Sequence, residues 1–226
     1  MSASNVSAAP LPILDISRLD QGPDEAEAFR TELRQVTHEY GFFYLVGHGV
    51  DESLAAELIE VSRRFFALPE AAKLAISNTK SPHFRGYTRV GGELTQGRVD
   101  WREQLDIGPE RPAVEIGPDT PAYLRLEGPN LWPEELPELR DVVTRWEKQL
   151  TDLGLRLLRV WAEALGAAPD VFDAAFGDRP STLIKIVRYP SRAEPDHDQG
   201  VGAHKDIGVL TLLWVEPGKG GLQVEL

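Results

Sequence analysis

Apolar residues return every three or four positions in three long stretches of this chain and cluster in short runs elsewhere, which divides it into helical and extended segments. From Pro23 to Gly41, Phe29, Leu33 and Val36 keep helical spacing, with Pro23, Asp24, Glu25 and Glu27 in the first turn and Gly41 after the end. A second helix is expected from about Glu52 to Phe66, with Leu54, Leu58, Val61 and Phe65 on one face, and another short one begins at Leu68-Pro69-Glu70. The longest pattern runs from Glu138 to Leu165 through Leu139, Val142, Val143, Trp146, Leu150, Leu153, Leu157, Val160 and Trp161, and stops at Gly166. A short helix is expected around Pro169 to Phe176.

The extended segments are short. "LPILDISRL" predicts a strand with a turn, and "GFFYLVGHGV" predicts a buried strand ending in glycines. "STLIKIVRYP" predicts another, stopped by its proline. From "VGAHKDIGVLTLLWVE" through the turn at "PGKGG" to "LQVEL", the chain is expected to be strand-rich. The middle, "HFRGYTRVGGELTQGRVDWREQLDIGPERP", is glycine-rich and charged with no sustained period, and predicts loop and short edge strands.

Composition narrows the chemistry. The 226 residues include 36 acidic and 24 basic side chains, a formal net charge of -12, which repels a phosphate backbone, and no Lys/Arg cluster with interleaved aromatics offsets it. Nucleic acid is not an expected partner. With no cysteine, disulfides and thiolate-held metals are excluded, so any metal is held by nitrogen and oxygen. No apolar run reaches the roughly 18 residues of a spanning helix, and the opening "MSASNVSAAPLP" lacks the layout of a signal peptide, so the expectation is a cytoplasmic protein with no membrane association.

His204 and Asp206 stand just before the apolar run "IGVLTLLWV". In an extended strand, residues two apart point to one side, so an imidazole nitrogen and a carboxylate oxygen meet one point in space. Two such ligands and one further histidine form the facial triad of non-haem Fe(II) oxygenases. The preceding "VGA" lets a ligand approach the backbone closely. The H-x-D spacing also suits a surface pair capping a turn. The cluster at Asp196 to Gln199, between Pro195 and Gly200, is expected to be a solvated loop.

Taken together, these segments resemble the isopenicillin N synthase-like branch of iron(II)- and 2-oxoglutarate-dependent oxygenases. "PILDISRL" followed by a helix and "GFFYLVGHGV" is similar to the family's N-terminal domain, and "IKIVRYP", "GVGAHKDIGVLTLLW" and "GGLQVEL" are similar to the start of its catalytic core; intermediate segments such as "RGYTRVGGELTQGRVDWREQLDIG" extend the likeness over nearly the whole chain. The resemblance implies an α+β fold with a double-stranded β-helix (jelly roll) core, incomplete at the C-terminus, and a helical N-terminal region. The implied division is a flexible leader (1–10), an N-terminal oxygenase domain (11–120), a helical support region (121–180), and the first part of the β-helix (181–226).

The resemblance further implies that His204 and Asp206 are iron ligands and that Tyr189 lines the site and contacts 2-oxoglutarate or substrate. Arg85, Glu93 and Arg188 are weaker candidates for substrate contacts, and the apolar run from Leu210 to Trp214 is expected to support the site. The implied cofactors are Fe(II) and, as cosubstrate, 2-oxoglutarate, with O₂ and a small molecule as reaction partners and succinate and CO₂ as products. The family's third ligand is a later histidine and its cosubstrate anchor an R-x-S arginine; residues 207–226 contain neither. The expectation is therefore a truncated, catalytically inactive form with exposed strand edges and an exposed apolar face. Two alternatives stand beside it: an oxidase or cyclase that uses O₂ without 2-oxoglutarate, and a non-catalytic short protein that binds a full-length relative. His48 and His38 are read as structural, and His83 as a loop residue.

Overall fold

A computed structural model describes residues 10–191 and 199–225, so the leader and most of the Asp196–Gln199 cluster lie outside the described residues. The chain divides into two compact units. One takes in the described residues up to Val50, Asp152–Arg179 and Trp214 onward; the other takes in Asp51–Thr151 and the described part of Pro180–Leu213. The long helix α4 (Glu138–Ala164, numbered in chain order) runs through both.

In the first unit, strands β1 (Ile13–Asp15) and β2 (Tyr44–Val46) pair in parallel, Leu14 opposite Leu45, and helix α1 (Pro23–Glu39) makes the crossover between them. The helix begins at proline, as the sequence predicts, and buries Ala26, Phe29, Leu33 and Val36. Between β1 and α1, Asp15 caps a turn of 3-10 helix by accepting the Ser17 hydroxyl at 2.7 Å and the Ser17 amide at 3.0 Å. These hydrogen bonds hold the Asp15 carboxyl below its ordinary pKa. Just after β2, a side chain at Gly47, where φ is 65°, would drive a Cβ to 2.1 Å from Asp15 Oδ1, so only glycine fits. The C-terminal half of α4 adds Leu153, Leu157, Leu158, Val160 and Ala162 to the buried residues of this unit. Strand β2 differs from expectation: Tyr44 and Val46 are exposed and Leu45 is half-buried, since among the described residues β2 pairs with β1 alone.

The second unit opens with helix α2 (Glu52–Ala67), capped by Asp51, whose carboxylate accepts the amides of Ser53 at 2.8 Å and Leu54 at 3.4 Å. Its apolar face, Leu54, Leu58, Val61 and Phe65, is buried as the periodicity predicts. Phe65 meets Tyr87 edge-on, ring centroids 6.0 Å apart. Helix α3 (Glu70–Ala75) follows. The sheet of this unit is antiparallel in the order β3-β6-β7, from Gly86–Thr88, Glu103–Ile107 and Ile184–Arg188. A small separate hairpin pairs β4 (Leu94–Thr95) with β5 (Arg98–Val99).

Three expectations change here. The middle segment contains the central strand β6, buried at every position, where loop and edge strand were expected; its residues EQLDI hide an alternation because the polar members are themselves buried. The helix expected around Pro169 to Phe176 is confined to α5 (Asp173–Phe176). Residues 201–225 form no strand: none of them enters a ladder with another described segment, and an isolated strand is unstable in water. The apolar run therefore does not form an inner wall. Ile207, Val209, Leu213, Trp214, Val215 and Leu222 are all exposed.

Candidate metal and substrate site

His204 and Asp206 come together without a strand. His204 Nε2 lies 3.4 Å from Asp206 Oδ1, both side chains about half exposed. The other ring nitrogen, Nδ1, lies 2.8 Å from the Gly202 carbonyl oxygen. A carbonyl only accepts, so Nδ1 carries a proton, and Nε2 is the ring nitrogen that faces the carboxylate. A histidine that binds a metal through Nε2 has its other ring nitrogen held by such a hydrogen bond. A neutral imidazole and a carboxylate, with no thiolate, suit Fe(II). Among the described residues, no third His, Cys, Asp or Glu joins the pair to complete a metal cluster.

The segment carrying the pair is docked on the β4–β5 hairpin. Asp100, wholly buried, accepts the Gly202 amide at 3.2 Å and the Gln199 side-chain amide at 3.1 Å through Oδ1; its Oδ2 accepts the Thr95 hydroxyl at 2.7 Å and faces Arg102 at 3.4 Å. The Trp101 amide donates to the Gln199 carbonyl at 2.9 Å, and Gln96 donates its side-chain amide to the Ala203 carbonyl at 3.0 Å. Gly202 sits so close that an added Cβ would come within 2.7 Å of Thr95 Cγ2.

Tyr189, directly after β7, is half exposed, and its ring lies against Gly200, whose added Cβ would stand 3.1 Å from Tyr189 Cδ1. Its neighbours Arg188 and Pro190 line a polar cavity of about 440 Å³ together with Lys73, Tyr87, Arg89 and Glu103. Arg188 is not free in that cavity. Its guanidinium pairs with Glu103 at 2.8 Å, directly across the β6–β7 ladder. Glu103 also accepts from Lys73 at 2.8 Å and from the Tyr87 hydroxyl at 2.6 Å, and Lys73 donates to the Phe66 carbonyl. Burial, then the hydrogen bond to Glu103, pushes the Tyr87 hydroxyl pKa well above its ordinary value. On the opposite face of β6, Asp106 pairs with Lys185 at 2.6 Å, again directly across the ladder.

The remaining candidates lie in other surroundings. Arg85 is buried, donates to the carbonyls of His83, Phe84 and Leu126, and has its pKa lowered by desolvation. Glu93 accepts from Arg102 at 2.8 Å and Gln104 at 3.0 Å. Both side chains are engaged in holding loops to the sheet rather than gathered with His204 and Asp206. His48 Nδ1 accepts the Val50 amide at 3.1 Å, a turn contact, and His83 bonds the Arg125 carbonyl.

Sequence reasoning missed Asp100 and Gln96, the residues that seat the H-x-D segment. The available signal was "TQGR": Gln96 and Gly97 both have positive φ, 53° and 77°, the geometry of a two-residue hairpin turn.

Known proteins similar to this chain identify its family. The family described as non-haem dioxygenase in morphine synthesis, N-terminal, matches residues 11–135. The 2-oxoglutarate-dependent dioxygenase frbJ of Dothideomycetidae sp. (strain 11243) is 38% identical over 218 residues, covering 95% of this chain and 58% of that protein. A homoarginine-6-hydroxylase of Arabidopsis thaliana is 34% identical over 226 residues, covering 95% of this chain and 67% of that protein. Among solved structures, a 2OG-Fe(II) oxygenase family protein from Caulobacter crescentus superposes with a TM-score of 0.67 over 83% of this chain and 58% of that one, at 23% identity, a likeness of fold. The chain thus spans little more than half the length of some relatives it matches. An α+β architecture, an H-x-D pair seated on a hairpin and a match across most of the N-terminal half lead to one conclusion: this chain belongs to the non-haem, 2-oxoglutarate-dependent Fe(II) dioxygenase family.

Proposed function

We propose that the protein acts as an Fe(II)- and 2-oxoglutarate-dependent oxygenase that oxidises a small polar molecule, with release of succinate and CO₂. The observation that carries this reading is the His204–Asp206 pair, 3.4 Å apart, with the imidazole proton committed to Gly202 so that Nε2 and the carboxylate face one another. When bound, Fe(II) would supply the activation of O₂. His204 holds the metal through Nε2, and Asp206 supplies an anionic oxygen that offsets its charge. Tyr189 lines the approach, as the ring packed on Gly200 fixes its direction.

The substrate is proposed to be polar because the cavity beside Tyr189 is lined by Glu70, Lys73, Arg89, Glu103 and Arg188. Among these, Lys73 and Arg188 both pair with the single carboxylate of Glu103, which leaves that trio one positive charge in excess, and the exposed Arg89 and Glu70 complete a lining of both signs for a ligand that carries charge of both signs. The homoarginine hydroxylase among the relatives acts on a molecule of that kind. The test is oxygen-dependent succinate formation from 2-oxoglutarate in the presence of Fe(II). Succinate formed by the protein and lost in Asp206→Ala supports the reading; equal formation by the variant overturns it.

A further inference from the structure

We propose that Gln96, Asp100 and Gln199 form a clamp that presets His204 and Asp206 for a metal ion, acting as positioning residues; this rests on the reading of that pair as metal ligands. Nothing in the spacing of H-x-D requires its two side chains to converge once no strand holds them. The convergence needs another cause, and the hairpin contacts supply a continuous path to the imidazole. Asp100 Oδ1 accepts the Gly202 amide, the Gly202 carbonyl accepts His204 Nδ1–H, and His204 Nε2 faces Asp206 Oδ1.

The anchor of this path is a carboxylate with no exposed surface, engaged by four side-chain or backbone donors from Thr95, Arg102, Gln199 and Gly202. A buried carboxylate so fully bonded resists displacement, since losing any one partner leaves charge unsatisfied in a dry site. Gln199 ties the start of the segment, donating to the Thr95 carbonyl at 3.2 Å as well as to Asp100. Gln96 ties its end through the Ala203 carbonyl. The backbone at Gln96 is informative. Its φ of 53° lies in the left-handed region, where a residue other than glycine, asparagine or aspartate is disfavoured. Glycine at this exposed position would relieve the turn; glutamine instead reaches Ala203, directly before the ligand histidine. Holding His204 in advance, with Asp206 facing it, removes an ordering cost from metal capture.

The test uses the metal-free chain and Co(II) alone as probe, with wild type, Gln96→Gly, Asp100→Ala and Asp100→Asn. Gln96→Gly relieves the positive φ, so its thermal unfolding midpoint stays equal or rises. The clamp predicts that its Gly202 amide nevertheless exchanges with solvent faster by nuclear magnetic resonance and that Co(II) affinity falls about tenfold. Asp100→Ala should show a larger loss of both, and Asp100→Asn, which keeps an oxygen for Gly202, should recover a measurable part. Co(II) binding equal in wild type and Gln96→Gly overturns the clamp and leaves the metal pair standing. A wild type that takes up no Co(II) overturns the metal pair, and with it the role assigned to the clamp; the exchange of Gly202 then shows only whether the docking exists.

Discussion

Strand β6 and the run from Ile207 to Val215 invert the ordinary rule of burial. Glu103, Gln104 and Asp106 are hidden, while Ile207, Val209, Leu213, Trp214 and Val215 are open to solvent. The difference lies in partners rather than hydropathy. Each acid of β6 faces a cation in register on β7, Glu103 opposite Arg188 and Asp106 opposite Lys185, and β3 closes the other edge with Tyr87 donating to Glu103. The apolar run enters no ladder among the described residues, and these five side chains stay exposed. Burial of a polar strand is permitted by paired charges; burial of an apolar one still requires a neighbour.

The comparison predicts where substitutions matter. The largest effect is expected at Glu103. Glu103→Ala strands the buried Lys73 ammonium and should cost about 3–5 kcal/mol in urea unfolding, and a loss below about 1 kcal/mol would show that the β6 network is dispensable. Tyr87→Phe removes one hydroxyl bond to Glu103 and should cost about 1–2 kcal/mol. The same variant sharpens the electrostatic side. Because the folded-state pKa of Tyr87 is raised, its contribution is complete below the unfolded value of about 10 and is lost as pH rises beyond it. Stability of wild type should therefore fall through that alkaline range more steeply than stability of Tyr87→Phe. The smallest effect is expected at Leu213→Ser, within about 0.5 kcal/mol of wild type. Light scattering should show no more self-association in that variant than in wild type, since an exposed apolar side chain is replaced by a polar one.

Much of this was legible in the sequence, for reasons that differ by element. Helices α1, α2 and α4 were marked by period, and two of them by an end: Pro23 stands where a first-turn proline is expected and Gly166 where a terminating glycine is, while the Asp51 cap of α2 emerged only in the structure. Strand β6 was hidden because both faces of EQLDI carry polar residues, which mask the alternation of Leu105 and Ile107, and the cations that pair with its acids, Lys185 and Arg188, lie some eighty residues later. The run after Asp206 looked like a strand because hydropathy reports the wish to be buried, not the presence of a partner. For the proposed site, spacing and chemistry singled out His204 and Asp206, which the structure brings within 3.4 Å of each other, and the family resemblance singled out Tyr189. Asp100 was not legible, since a carboxylate that acts by receiving the Gly202 amide from about a hundred residues away leaves no local pattern.

The claim on which the functional account depends is that His204 and Asp206 form one metal-binding point. Anaerobic equilibrium dialysis of Fe(II) against wild type, His204→Ala and Asp206→Ala tests it most directly. The account predicts saturable binding of one ion by wild type and at least about a tenfold loss of affinity in each variant; Fe(II) uptake that is the same in all three proteins would contradict it.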